Sequence, residues 1–575
     1  MDILKSLYNV LSSGQKRESI YQILLMIISM IFELLSITLV LPVIAIISED
    51  DFLIKYPFIE SFIFFIDLNS KYELLMYFMF VFMFVYLLKS IVISLIINYN
   101  YKFIFSLQSS FSNRLFKGYL THPFSFHLKR NSAELIQNSI LIVNNVTSSL
   151  VSIIQLATEL ITAFSILILV VIISPSTIII TALVFVPSIY LFLKILKNKL
   201  TFWGKQFQYH DNNRIQLLQQ SLSTVKEIKL ISKEDFFSKN YAKHTLSGAS
   251  FARKQQFFQA MPRLFIEFLM ILTLSIIVGF LIFSGEEFNS ILILLGVFAA
   301  ASFRLMPSMN RITSSIQTLR YCSSFIKTLE NELLEISKIE INPFSSKKIT
   351  INDKIIIKNL SFSYPDSKNL ILDNINLEIY KGNKIGIVGA TGEGKSTLVN
   401  IILGLLSPTY GNIIVDGINI FSNLKSWQQN IGYVPQTISL IDDSLRRNIA
   451  FGLENDKIDD ELIIDCLFKT ELKNLYDSLE NGLDTMLGER GIRFSGGERQ
   501  RIGIARALYT NPEVIVFDEA TSSLDVETEN EIMNSINLIS DNKTVIMITH
   551  RPGTLKDCDK VFKINNGKLK KITNG

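Results

Sequence analysis

Gly389-Ala-Thr-Gly-Glu-Gly-Lys-Ser396 follows the apolar run Lys384-Ile-Gly-Ile-Val388 and precedes a helix-forming run from Thr397 to Leu406. Strand, glycine-rich loop and helix in that order make a phosphate cradle. Gly389, Gly392 and Gly394 let successive backbone N–H groups turn toward one anion, and the helix N-terminus adds its partial positive charge. Lys395 can reach the β- and γ-phosphates of a nucleotide, Ser396 can hold Mg²⁺, and Thr397 opens the helix beside them.

A second strand completes the site. Glu513-Val-Ile-Val-Phe-Asp-Glu519 is apolar through its middle and delivers Asp518 and Glu519 at its carboxyl end, where open α/β sheets bind ligands. Asp518 suits the Mg²⁺ shell, and Glu519 is placed to polarise an attacking water. Phe494-Ser-Gly-Gly-Glu-Arg-Gln500, ahead of a helical run from Arg501 to Tyr509, resembles the signature motif of ATP-binding cassette (ABC) proteins. Phe and Glu stand where that family most often has Leu and Gln. Ser495, Gly496 and Gly497 at a helix start form another anion cradle. The resemblance implies that this cradle closes on the nucleotide of a second subunit.

Further ABC marks follow in order. Tyr364, in Phe-Ser-Tyr, offers a ring for adenine. Gln436, in Tyr-Val-Pro-Gln, matches the Q-loop, which in the family touches Mg²⁺ and senses the membrane part. Ser522-Ser-Leu-Asp525 matches the D-loop, and His550, after the apolar strand Thr544-Val-Ile-Met-Ile-Thr549, matches the switch histidine. Leu487-Gly-Glu-Arg-Gly491 resembles the segment that separates exporters from importers. The resemblance implies an ATP hydrolase coupled to transport, with ATP and Mg²⁺ as cofactors and Glu519, His550, Lys395 and Gln436 as its catalytic residues. With one ATPase per chain and every motif filled, it also implies a homodimer with two composite ATP sites.

At 575 residues, with 49% hydrophobic content, 42 phenylalanines and a mean hydropathy of +0.33, the chain is too long for one domain and too apolar for a soluble enzyme. A formal charge of +4 gives no reason to expect a nucleic-acid partner, and Cys322, Cys466 and Cys558 have no metal-type spacing. We expect an α-helical membrane domain over 1–337, a linker over 338–350 that includes Ile341-Asn-Pro-Phe-Ser-Ser-Lys-Lys348, and an α/β P-loop ATPase domain over 351–575.

Residues 1–20 read as an interfacial helix with Leu4, Leu7, Tyr8 and Leu11 on one side. Apolar runs predict six spans, at Tyr21–Ile47, Leu74–Asn98, Val151–Ile173, Ser176–Leu196, Met261–Phe283 and Ile291–Pro307. Lys and Arg crowd 1–20, 99–150 and 197–260, whereas Glu49-Asp-Asp51 and Ser284-Gly-Glu-Glu287 are acidic, so both termini and the ATPase belong on the cytoplasmic side; that the membrane is a bacterial inner membrane is what the resemblance implies. The two long basic segments read as helical extensions of the spans, making hairpins with tips near Pro123 to Asn131 and Thr224 to Lys233. This is the type IV exporter plan, by resemblance.

Two features bear on the cargo. Residues 52–66, after the first span, form a greasy stretch that is either an external interfacial helix or a packing element. Lys89, Arg263, Arg304 and Arg311 lie inside spans or just past their ends, toward the cytoplasmic side. They either line a polar cavity suited to phosphate or snorkel to the inner headgroups. Glu33, Glu159 and Glu267 are available to neutralise them. Phe303-Arg-Leu-Met-Pro-Ser-Met-Asn-Arg-Ile312 and Met261-Pro-Arg263 are similar to bacterial lipid-linked oligosaccharide flippases of the PglK type. That resemblance implies ATP-driven movement of a polyprenyl-pyrophosphate oligosaccharide to the outer leaflet, and Arg263, Arg304 and Arg311 look like its cavity arginines. The main rival is an exporter of lipid A-type lipids or hydrophobic drugs.

Overall fold

The computed structural model describes residues 2–39, 71–173, 175–283, 288–338, 349–364, 367, 369–488, 491–520, 531, 533, 543–549, 555–556 and 558–572. The chain divides into two compact units, Met1–His122 with Lys129–Glu340, and Pro123–Leu128 with Ile341–Gly575.

The first unit is helical: α1 (Asp2–Val10), α2 (Ser13–Thr38), α3 (Lys71–Thr121), α5 (Ser132–Gln137), a π turn at Asn138–Ile142, α6 (Val143–Ile173), α7 (Pro175–Ser223), α8 (Val225–Leu230), α9 (Glu234–Phe283), α10 (Phe288–Tyr321) and α11 (Ser323–Ser337). The short helix α4 (Phe124–Lys129) carries the first hairpin tip, and α8 the second, where the sequence placed them. α3, α7 and α9 run 51, 49 and 50 residues. At 1.5 Å per residue each is about 75 Å long, against a hydrocarbon core of about 30 Å, so roughly half of each continues beyond a bilayer. Exposed Phe80, Phe84, Leu87, Leu183 and Tyr190 on these helices are the face that lipid covers.

Five described helices are long and apolar enough to cross a membrane. The sixth expected span lies in α10, whose side chains from 288 to 304 lie outside the described residues, as do the acidic loops and the greasy stretch at 52–66. Pro262, at the opening of the fifth expected span, and Pro307, at the close of the sixth, sit inside continuous helices, as helical extensions of those spans require. Packing outweighs the broken ladder at Pro307, because Ser308 and Ile312 just beyond it are buried.

The N-terminal helix departs from expectation. Leu7 and Val10 are buried and Leu11 is half-buried, as on the expected side, whereas Tyr8 is exposed. α1 packs against α11, and Arg114 donates to the Val10 carbonyl at 2.8 Å, so protein rather than lipid covers that face. At the base of the first hairpin, Arg130 binds Glu332 at 2.6 Å and Glu335 at 2.8 Å, and the Tyr119 hydroxyl donates to Glu332 at 2.9 Å. Burial, then the Glu332 charge, pushes the Tyr119 hydroxyl's pKa well above its usual value. Gly204 of α7 is held against the end of α10, where a Cβ would collide with the Tyr321 carbonyl oxygen. Backbone cannot yield as a side chain can, so Gly204→Ala is expected to cost about 1–3 kcal/mol, read as a lowered unfolding midpoint in detergent.

The second unit holds two sheets. β1 (Lys354–Phe362), β2 (Leu372–Tyr380), β4 (Tyr410–Val415) and β5 (Ile418–Asn419) form an antiparallel sheet in the order β2-β1-β4-β5. β3 (Lys384–Val388), β6 (Ile431–Val434), β7 (Val514–Asp518), β8 (Thr544–Ile548), β9 (Lys560–Asn565) and β10 (Lys568–Ile572) form the other, in the order β10-β9-β3-β8-β7-β6. All its pairs are parallel except β9 with β10. Continuous apolar runs such as Val514–Phe517 suit strands covered on both faces. Ile349 is already buried in this unit's core and its N–H donates to Ser426 at 2.7 Å, so the chain joins the unit ahead of residue 351. Phe124 of α4 packs on the same core.

Candidate nucleotide site

Parallel pairing brings the carboxyl ends of four strands to one edge. Ile387 of β3 lies opposite Ile548 of β8, and Ile548 opposite Asp518 of β7, with β6 beyond. The chain therefore delivers the glycine-rich loop, Thr549, Asp518 with Glu519, and the segment leading to Gln436 side by side.

The loop ends at α12 (Lys395–Ile402), capped by Gly394 at φ 98°. Only glycine takes that conformation readily, and it leaves the first helical N–H groups open to an anion. A Cβ on Gly389 would lie 2.8 Å from the Ile564 carbonyl oxygen, so the strand-to-loop corner also requires glycine. Lys395 is buried, with Nζ donating to the Gly389 and Ala390 carbonyls at 2.9 and 3.0 Å. Ser396 is exposed at the loop mouth. Thr397 is buried, its hydroxyl 3.5 Å from that of Tyr364, whose ring stacks edge-on against Phe362.

Asp518 and Glu519 share one edge. Burial, together with the adjacent Glu519 charge, raises the Asp518 pKa above the usual carboxylate range. The Tyr433 hydroxyl donates to Asp518 at 3.4 Å, and burial, then that charge, pushes its own pKa up to about 12. Glu519 has a φ of 49°, an uncommon value for a residue with a side chain. Its N–H bonds the Ile548 carbonyl at 2.9 Å and its carboxylate accepts from Gln436 Nε2 at 3.0 Å. Two adjacent carboxylates, one part-buried, form a donor set that a divalent cation would neutralise, and the lysine and backbone cradle fit a nucleoside triphosphate.

Ser495 caps the helix α17 (Gly496–Tyr509), the helices between being α13 (Leu424–Gln428), α14 (Leu445–Ile449), α15 (Asp460–Lys469) and α16 (Lys473–Ser478). Its hydroxyl accepts from the Glu498 N–H at 3.2 Å, and the Glu498 carboxylate accepts from the Ser495 N–H at 2.7 Å. This reciprocal cap leaves Ser495 and Gly496 exposed, as a cradle for an outside anion requires. Asp525 and His550 lie outside the described residues.

Glu393 escaped the sequence reading. Its carboxylate accepts from the Ala390 N–H at 3.1 Å, inside the loop whose N–H groups are to hold phosphate. An acidic residue among the loop's glycines was the available signal. Glu393→Ser is expected to tighten ATP binding by about three- to tenfold, the worth of one ordinary hydrogen bond, in a titration with fluorescent ATP analogue.

The expected cations are each paired where described. Lys89 binds Glu33 at 2.8 Å and Ser36 at 2.9 Å, Arg311 binds Glu159 at 2.6 Å, and Arg263 binds Glu267 at 3.1 Å. Glu33, Glu159 and Arg311 line one cavity, to which Arg263 does not contribute. The side chain of Arg304 lies outside the described residues. Each of the three described cations thus has a glutamate partner.

Residues 372–522 match the ABC transporter family model. The chain is 32% identical over 361 residues to the ATP-dependent lipid A-core flippase of Syntrophus aciditrophicus, covering 61% of this chain and 58% of that protein. It is 39% identical over 234 residues to the leukotoxin export ATP-binding protein LtxB of Aggregatibacter actinomycetemcomitans, covering 40% and 33%. The matches thus span less than two thirds of these relatives' own length. The fold is that of a bacterial Atm1-family ABC exporter solved with ATP bound, at a TM-score of 0.76, 20% identity, and coverage of 97% of this chain and 94% of that one.

Proposed function

From a chain with the domain composition and fold of an ABC exporter half-transporter, we propose a homodimeric, ATP-driven lipid flippase of a bacterial inner membrane, with its ATPase domains and both termini cytoplasmic. Its cargo is a phosphate-bearing glycolipid, a polyprenyl-pyrophosphate-linked oligosaccharide, moved from the cytoplasmic to the outer leaflet for protein glycosylation or surface-polysaccharide assembly. The observation that carries the ATP-driven part is the shared edge of the parallel sheet, where Lys395, Asp518, Glu519 and Gln436 converge. A lipid A-type glycolipid is the second reading, favoured by the flippase relative.

In this reading Lys395 leaves the Gly389 and Ala390 carbonyls to meet the β- and γ-phosphates, and Ser396 and Asp518 hold the metal. Mg²⁺, when bound, offsets charge on the phosphates. Glu519, oriented by Gln436, takes the proton of the attacking water, and His550 holds the γ-phosphate. Tyr364 stacks on adenine, while Ser495, Gly496, Gly497 and Asp525 of one subunit close over the nucleotide of the other. The helical hairpins ending at α4 and α8 carry that closure into the membrane domain. Arg263, Arg304, Arg311 and Lys89 are proposed to meet the cargo phosphates, with Lys89, Arg263 and Arg311 each exchanging a glutamate for a phosphate oxygen.

Proteoliposomes loaded with labelled polyprenyl-pyrophosphate oligosaccharide, or with labelled lipid A precursor, test this. ATP-dependent movement of the first, abolished in Glu519→Gln, is expected. Movement of the second alone would replace the cargo, and movement of neither, with ATPase intact, would overturn the lipid reading.

A further inference from the structure

A cavity of about 390 Å³ opens among α2, α3, α6 and α10, walled by apolar side chains such as Ile96 and Ile154 and by a polar cluster of Glu33, Asn100, Glu159 and Arg311. Glu33 is held by Lys89. The rest of the cluster is only partly satisfied. Glu159 is 4% exposed, and its Oε1 takes the Arg311 guanidinium while Oε2 is buried with no hydrogen-bond partner among the described residues. Asn100 Oδ1, in the same wall, is a buried acceptor without a partner among the described residues. Arg311 is bonded through one nitrogen, and its side chain remains 48% exposed.

The cavity therefore offers unspent acceptors, one anionic, beside a guanidinium edge with donors to spare. A lone anion would answer Arg311 and leave the buried carboxylate oxygen unpaired. A lone cation would do the reverse. A group carrying a phosphate and a primary ammonium a few bonds apart answers both, since the guanidinium fork takes phosphate oxygens and an ammonium supplies N–H donors to Glu159 Oε2 and Asn100 Oδ1. In the orientation proposed above, these residues sit near the cytoplasmic ends of their spans, at the depth of inner-leaflet headgroups, with isoleucines beside them for acyl chain.

We propose that this cavity binds the headgroup of an aminophospholipid from the cytoplasmic leaflet, phosphate on Arg311 and ammonium on Glu159. The site rests on the lipid-flippase reading for its placement in the bilayer, and a cargo phosphate reaching Arg311 would compete with it. Binding itself requires neither ATP nor cargo.

The test uses the full-length, delipidated protein in detergent, without nucleotide or cargo, titrated with dihexanoyl phosphatidylethanolamine while its thermal unfolding midpoint is followed. Dihexanoyl phosphatidylcholine, whose ammonium has no N–H, and dihexanoyl phosphatidylglycerol, which has no cation, are the comparison ligands. The ethanolamine lipid is expected to saturate at roughly tenfold lower concentration than either, the worth of one charge-assisted hydrogen bond. Glu159→Gln should bring the three within about twofold of each other. If Glu159→Gln does not fold, Glu159→Gln with Arg311→Gln leaves no uncompensated charge and should show the same loss of selectivity. Equal saturation by all three in the wild type, preference for the glycerol or choline lipid, or undiminished ethanolamine preference in these variants would each overturn the proposal. Because no transport is measured, failure of the flippase reading leaves this result unaffected.

Discussion

Glu519→Gln is expected to bind ATP as the wild type does and to hydrolyse it roughly 10²–10⁴-fold more slowly, the range set by losing a positioned general base. The geometry separates the two effects. The Glu519 carboxylate accepts from Gln436, and its strained φ of 49° places it one residue past the strand end, away from the glycine-rich loop's own backbone. An amide fills the same space and can still bond Gln436, so the nucleotide pocket survives while the proton acceptor is gone. Single-turnover hydrolysis and ATP-analogue binding on the same preparation separate these quantities. Turnover within a few-fold of wild type would remove Glu519 from the role of base and leave it a structural partner of Gln436.

Trp427→Ala is expected to have the largest effect on folding. Trp427 is fully buried in the core shared by the antiparallel sheet and α12, and its indole N–H donates to the Ile402 carbonyl at 2.7 Å, at the end of the helix that follows the phosphate loop. Truncation empties a large cavity at a cost of about 3–5 kcal/mol and strands a carbonyl acceptor. Against a domain stability of about 5–15 kcal/mol, that brings the ATPase unit close to unfolding. Urea titration followed by loss of ATPase activity reads the effect. Trp427→Phe, which keeps most of the volume and loses the hydrogen bond, should fall between. If both variants match the wild type, this core does not govern the ATPase unit's resistance to urea.

The nucleotide site was legible because its chemistry is written in contiguous residues. A glycine at 394 that must cap a helix, a lysine beside it, and a carboxylate at the end of an apolar strand are local statements, and parallel pairing of short buried strands brings such ends together. Tyr433's role and the contact that Glu393 makes were not legible. Tyr433 reaches Asp518 because β6 and β7 are neighbours in space but 85 residues apart at those positions, and the Glu393 contact depends on a loop conformation that spacing does not encode. What covers α1 was misread for the same reason, since a helix stripe shows that something covers it but not whether that is lipid or α11.

The sequence by itself determined that apolar runs of membrane length precede an α/β phosphate-binding domain, and which side chains could serve phosphate, metal and water, since those depend on composition, period and local spacing. Only the tertiary structure decided where the intramembrane charges go. Lys89 with Glu33 and Arg311 with Glu159 are 56 and 152 residues apart, and an unpaired charge at that depth is costly enough to require some partner but indifferent to which one. Helix packing makes that choice, and it leaves one oxygen of Glu159 unpartnered among the described residues.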